Sequence, residues 1–144
     1  MDDVRIIRIT DENIFYLKEF IENLAENSKK FRYYASRPFS FIKNHLVTVV
    51  FLKNEKPFAY GHLDKEKDKV WLGIALIPSY TGKGYGKKMM DVLINYANEN
   101  DLKKINLSVD ADNLKAISLY RKFGFIEKEK NTDKNILFFN LNLD

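Results

Sequence analysis

The strongest constraint in this sequence is Pro78-Ser79-Tyr80-Thr81-Gly82-Lys83-Gly84-Tyr85-Gly86-Lys87-Lys88, which separates the apolar run from Val70 to Ile77 from a strongly periodic stretch. Three of the six glycines in the chain, Gly82, Gly84 and Gly86, fall here. Glycine has no Cβ, so backbone N–H groups can converge on a ligand, and the first turn of the following helix adds partial positive charge. The segment therefore reads as an anion cradle, suited to a phosphorylated small molecule. Beyond it, Met89, Met90, Leu93, Ile94 and Ala97 trace one wide helical stripe, and Ile105 to Val109 reads as a strand. Strand, glycine turn, helix and strand in that order predict a right-handed βαβ crossover with parallel strands.

The flanking sequence fills out a mixed sheet. Arg5 to Ile9 is a short strand, and Thr10 or Asp11 can cap a helix whose buried face is Ile14, Leu17, Ile21 and Leu24, widened by Phe15 and Phe20. Residues 27–40 have no clean period and read as a loop and a short helix rich in Arg and Tyr. His45 to Lys53 and Pro57 to Asp64 predict an antiparallel pair joined by Asn54-Glu55-Lys56. Gly73, inside the run from Val70 to Ile77, predicts a bulge in a buried central strand. Asn113 caps a short helix through Tyr120, and Gly124 sits where a left-handed C-cap belongs. Two strands, about residues 126–130 and 135–143, close the chain; the apolar Ile136-Leu137-Phe138-Phe139 fits the core or an interface.

Composition narrows the function classes. A chain of 144 residues with 45% apolar content is expected to form one domain, residues 1–144. The +4 formal charge comes from interspersed residues whose longest purely basic runs are pairs, which argues against nucleic acid and for anionic small ligands. No cysteine is present, which removes disulfides, thiolate metal sites and cysteine nucleophiles. No apolar run reaches the ~18 residues of a membrane span, and the N-terminus lacks a signal-peptide core. A cytoplasmic protein with no membrane contact and no metal is expected.

Spacing then discriminates among glycine-rich turns. A P-loop needs Lys followed by Ser or Thr, but Lys87 is followed by Lys88. A dinucleotide fold needs G-x-G-x-x-G, whereas Gly82, Gly84 and Gly86 give G-x-G-x-G, and no second βαβ half remains. Thr81-Gly82-Lys83-Gly84-Tyr85-Gly86 instead resembles the pyrophosphate loop Q/R-x-x-G-x-G/A of the GNAT superfamily of N-acetyltransferases. Asn113, Ala116, Leu119, Tyr120, Gly124 and Phe125 match its second signature, N-x-x-A-x-x-L-Y-x-x-x-G-F, at every defined position. The resemblance is strong over residues 70–125. One departure is Thr81, standing where that family usually has Arg or Gln.

The resemblance implies an α/β fold: a mixed, mostly antiparallel sheet of about seven strands with a splayed parallel pair, flanked by about four helices. It implies transfer of an acetyl group from acetyl-CoA to a primary amine by direct attack in a ternary complex. The pyrophosphate would lie on Thr81, Gly82, Lys83, Gly84, Tyr85, Gly86 and Lys87, with Lys83 or Lys87 supplying charge in place of the missing Arg or Gln. By position, the backbone of Ile74, Ala75 and Leu76 would meet the thioester and pantetheine. Tyr120 matches the family's donor to the leaving thiolate, although a core tyrosine on the same face as Ala116 and Leu119 is the plainer reading. Asn113 matches a residue that contacts CoA or its ordered water, and a simple helix N-cap explains it equally.

The base is less determined. Some family members use a carboxylate on the central strand, but Val70 to Ile77 contains none. His62 and Asp64, which alternation puts on one strand face, are the candidates, directly or through water; His45 is a weaker one. For the acceptor, Arg32, Tyr33, Tyr34 and Arg37 occupy the segment that shapes the acceptor pocket in this family. Arg32, Tyr34 and Arg37 predict a small amine carrying an anionic group, such as an amino sugar nucleotide or an amino acid. Protein N-terminal acetylation and a non-catalytic acyl-CoA sensor are the alternatives. A monomer or homodimer fits either.

Overall fold

A computed structural model describes residues 3–27 and 45–143. Their strands are β1 (Val4–Arg8), β2 (His45–Lys53), β3 (Lys56–Glu66), β4 (Lys69–Leu76), β5 (Lys104–Asp110), β6 (Ile126–Asn131) and β7 (Ile136–Asn142). They form one seven-stranded sheet in the order β1-β2-β3-β4-β5-β7-β6. Every neighbouring pair is antiparallel except β4 and β5. Among the described residues, α1 (Phe15–Asn27), α2 (Tyr85–Glu99), α3 (Leu114–Lys122) and a 3₁₀ turn at Pro78–Tyr80 complete the fold. The short helix expected within 27–40 lies outside the described residues apart from Asn27, which ends α1.

The helices cover opposite sheet faces. Leu17, Phe20, Ile21 and Leu24 of α1 are buried, and the Phe20 ring lies 5.9 Å from that of Tyr60 on β3. On the other face α2 buries Met89, Met90, Leu93 and Ala97, with Ile94 half-buried. A Cβ on Gly61 would lie 2.6 Å from Met89 Sδ, so this bare Cα lets α2 settle onto β3. Each such fully buried Leu or Met contributes about 1.5–3 kcal/mol.

Several local expectations need correction. The first helix starts at Phe15, later than a cap at Thr10 or Asp11 would place it. Asn13 takes the chain into a turn first: its Oδ1 accepts from the Thr10 N–H at 2.6 Å and its Nδ2 donates to the Arg8 carbonyl at 2.8 Å. Phe15, expected on the buried face, is 55% exposed, its ring tilted against that of Tyr16 at 4.3 Å between centroids. The β2–β3 connection is shorter than expected: Asn54 and Glu55, at φ 52° and 63°, make a two-residue turn with the dihedral signs of type I′, and Lys56 is already in β3. The β3–β4 register runs without a shift from Glu66↔Lys69 to Ala59↔Leu76, so Gly73 carries no bulge. Its bare Cα has another use, described below.

Other expectations hold. Asn113 Oδ1 accepts from the Ala116 N–H at 3.2 Å, capping α3, and Gly124 ends that helix at φ 94°. Leu137 and Phe139 of β7 point into the core.

Candidate active site

The site begins where the sheet opens. β4 and β5 share a single register pair, Trp71↔Asn106, which Asn106 reinforces by donating its Nδ2 to the Val70 carbonyl at 3.2 Å. Beyond Trp71 the two strands have no further register pairs. The stretch Gly73–Leu76, which includes the expected Ile74, Ala75 and Leu76, thus borders a split in the sheet. This is the splayed parallel pair anticipated above, and it exposes strand backbone to a ligand lying between two strands.

At the end of β4 comes the glycine turn. Gly82 and Gly84 have φ 76° and 88°, and a Cβ built at either would meet nothing within 4 Å. Gly84 is the N-cap of α2 and makes no side-chain capping bond, which leaves the first-turn N–H groups of α2 open to an anion. The residues present therefore fit a pyrophosphate through backbone N–H groups. The side chains of Thr81, Lys83 and Tyr85 make contacts within the protein. Thr81 Oγ1 donates to the Pro78 carbonyl at 2.8 Å, closing the 3₁₀ turn. Lys83 Nζ stands 5.7 Å from the centre of the Tyr80 ring, and Lys87 is exposed. Tyr85 is buried edge-on against Phe58. Gly86 serves packing: a Cβ there would lie 3.2 Å from Leu119 Cδ2, so it lets α3 close on α2.

Tyr120, one residue further along α3, is 8% exposed, with its ring 6.0 Å from Phe125. The core packing of the plainer reading is therefore real. Asn113 is likewise seen in its capping role.

The structure brings His62 and Asp64 together and adds partners that the sequence reading did not assemble. Tyr60, His62 and Asp64 alternate along β3 on the face that α1 covers. His62 Nδ1 lies 2.7 Å from the Tyr60 hydroxyl, and its Nε2 lies 3.6 Å from Asp64 Oδ2. Across the sheet Thr48, His62 and Gly73 stand in one row. A Cβ on Gly73 would run into His62 Cε1, so the glycine makes room for the imidazole. The other side of the ring is stacked on His45, 4.2 Å between centroids and 10° from parallel. His45 Nδ1 in turn bonds Thr48 Oγ1 at 2.8 Å. Burial first, and then the neighbouring His62, lower the His45 pKa to about 4, with Asp64 pulling the other way.

His45, His62 and Asp64 each place one donor atom within 4.8 Å of the others. The two rings are nearly parallel, however, so their in-plane lone pairs lie in separate planes and do not converge as those of a chelate must. Asp64 Oδ1 is buried and has no hydrogen-bond partner among the described residues. A small cavity of about 20 Å³ opens beside this row, lined by Phe20, Ile21 and Leu24 of α1, Tyr60, His62, and Gly73, Ile74 and Ala75 of β4. Arg32, Tyr34 and Arg37, expected at the acceptor, lie outside the described residues.

The parallel pair splits beside an uncapped glycine turn, and the comparisons with known proteins give the family. The sequence profile of the acetyltransferase (GNAT) family matches residues 12–125, and the chain belongs to that family. Spermine/spermidine N(1)-acetyltransferase of Bacillus subtilis (strain 168) is 44% identical over 64 residues, 43% of this chain and 42% of that protein, so the match spans less than half of either. Among solved structures, the ribosomal-protein-S18-alanine N-acetyltransferase of Escherichia coli superposes with a TM-score of 0.72 at 21% identity, covering 96% of this chain and 93% of its own. The yncA protein of Salmonella typhimurium, solved with its cofactor acetyl-CoA, gives a TM-score of 0.72 at 18% identity, covering 98% and 94%. At these identities the structural likeness concerns the fold, which is the mixed, mostly antiparallel sheet expected from the sequence.

Proposed function

We propose that this protein transfers an acetyl group from acetyl-CoA to the primary amine of a small molecule, by direct attack in a ternary complex. The observation that carries this reading is the split between β4 and β5, closed by one register pair at Trp71 and ending at an uncapped glycine turn. Backbone N–H groups of residues 82–87 hold the pyrophosphate, and the backbone of Ile74, Ala75 and Leu76 carries the pantetheine and the thioester oxygen. Tyr120 protonates the departing thiolate. Its phenol, of ordinary pKa near 10, is a weaker acid than a thiol near 8.5, so the transfer relies on close placement.

His62, held by Asp64, takes the proton that the amine must lose before it attacks. The Oδ1 of Asp64, buried without a partner among the described residues, supports an amine-bearing acceptor, since an N–H donor there would remove a desolvation cost of about 1–3 kcal/mol. Arg32, Tyr34 and Arg37 would recognise an anionic group on the same acceptor. The same reading has the protein acting in the cytoplasm as a monomer or homodimer, with no metal and no nucleic-acid partner. No described helix is long and apolar enough to cross a membrane.

Thiol release from acetyl-CoA, measured against amino sugar nucleotides, amino acids, polyamines and N-terminal peptides, tests the proposal. Acceptor-dependent release that falls about 100-fold or more in Tyr120→Phe is expected. Release with peptides alone would replace the small acceptor with a protein N-terminus. Tight acetyl-CoA binding with no release for any amine would make the domain a sensor.

A further inference from the structure

We propose that the small cavity between α1 and β4 seats the acyl group of the thioester, and that Ile21 and Leu24 hold that group to two carbons. This rests on the transferase reading above and adds to it the choice of acyl chain. The cavity adjoins Gly73, Ile74 and Ala75, the stretch of β4 that borders the split. A thioester whose oxygen accepts from that backbone has its acyl carbon beside the same residues.

Size limits the occupant. A cavity takes a water molecule from roughly 10–15 Å³ of such space upward. About 20 Å³ is open here, so there is room for one methyl group and little beyond it. The chemistry of the wall favours carbon over water. Phe20, Ile21, Leu24 and Ala75 are apolar, and the Tyr60 hydroxyl and His62 Nδ1 are bonded to one another at 2.7 Å. A buried water wants about two to four polar partners, whereas a methyl wants none.

The walls leave a longer chain nowhere to go. Phe20, Ile21 and Leu24 are all buried, and Ile21 and Leu24, three residues apart, present neighbouring side chains on one face of α1. At the Gly73 end the space is taken by His62, whose Cε1 stands where a Cβ on that glycine would lie. A third acyl carbon therefore has to push aside α1 or the imidazole, and a close-packed interior resists even one added methylene. Ile21 and Leu24 act here as specificity residues, set by shape rather than by charge.

The ratio of kcat/KM for acetyl-CoA to that for propionyl-CoA, measured with the best acceptor of the amine panel, decides it. In the wild type the ratio is expected to be about 10 or more, the usual worth of one methylene at a tight apolar pocket. Leu24→Ala enlarges the cavity and should lower the ratio about 10-fold. Ile21→Val removes a single methyl, should lower it by a smaller factor, and carries the test if Leu24→Ala does not fold. A merely structural role for these side chains would weaken both acyl-CoAs alike, so a ratio unmoved in the folded variants overturns the proposal. A wild type that uses propionyl-CoA as well as acetyl-CoA, or better, overturns it while leaving the transferase standing. Failure to turn over either thioester with any amine overturns both.

Discussion

The glycine turn and the histidine row flank the same strand but are built by opposite means. Residues 82–87 make their site from backbone: the positive φ of Gly82 and Gly84 aims N–H groups, while Thr81, Lys83 and Tyr85 turn their side chains to other tasks. The row of Tyr60, His62, Asp64, His45 and Gly73 makes its site from side chains, held by cross-strand register and ring stacking. A backbone site tolerates changes of side chain and is sensitive to the few positions that set φ. A side-chain site is sensitive to any neighbour that crowds it. This explains how Thr81 can stand where its family usually has Arg or Gln.

Substitutions sharpen the contrast, the largest effect first. In Gly73→Ala the new Cβ displaces His62, and kcat is expected to fall about 100-fold. Chemical denaturation should show the fold kept but less stable by about 1–3 kcal/mol, because the displaced ring gives up its stacking on His45 and its bond to Tyr60. Unchanged kcat would separate His62 from the chemistry. Gly84→Ala acts on the other region: at φ 88° an alanine costs about 1–2 kcal/mol, which should appear as an acetyl-CoA KM raised on the order of 10-fold with kcat little altered.

The third effect is on stability. His45 is held neutral in the fold, with its pKa lowered from 6.5 to about 4. Protonation therefore favours the unfolded chain, so the contribution of His45 is intact above pH 6.5 and is lost as pH falls toward 4. Since the site is partly solvated, the loss is on the order of 1–2 kcal/mol. Urea midpoints of His45→Phe, which retains a stacking ring, should fall less across that range than those of the wild type. Smallest of all is Thr81→Ala, expected to change the acetyl-CoA KM by less than about threefold, the loss of one exposed hydrogen bond.

The same contrast governs what could be read from the sequence. The turn and the stretch from Asn113 to Phe125 are continuous segments in which φ, cap and spacing are written locally, and both were legible. So was the shared face of His62 and Asp64, because alternation is local too. What surrounds them was not. Gly73 looks like a bulge in isolation, and only the pairing His62↔Gly73 reveals that it clears space for an imidazole. Gly86 looks like a third cradle glycine until Leu119 is placed against it. His45 joins the row because a shift in register between His45 and Val47 sets it opposite Asp64, which no pattern in the strand announces. Phe15 fits the helical stripe, but Asn13 delays the helix and leaves that ring outside the core.

The most direct test of the division between the two regions is an acetyl-CoA titration of His62→Gln, run beside its turnover with the best acceptor. Binding within about twofold of the wild type, with kcat reduced about 100-fold or more, is the result expected if the cradle binds and the row removes the proton. Affinity lost in step with kcat, or kcat retained, would contradict it.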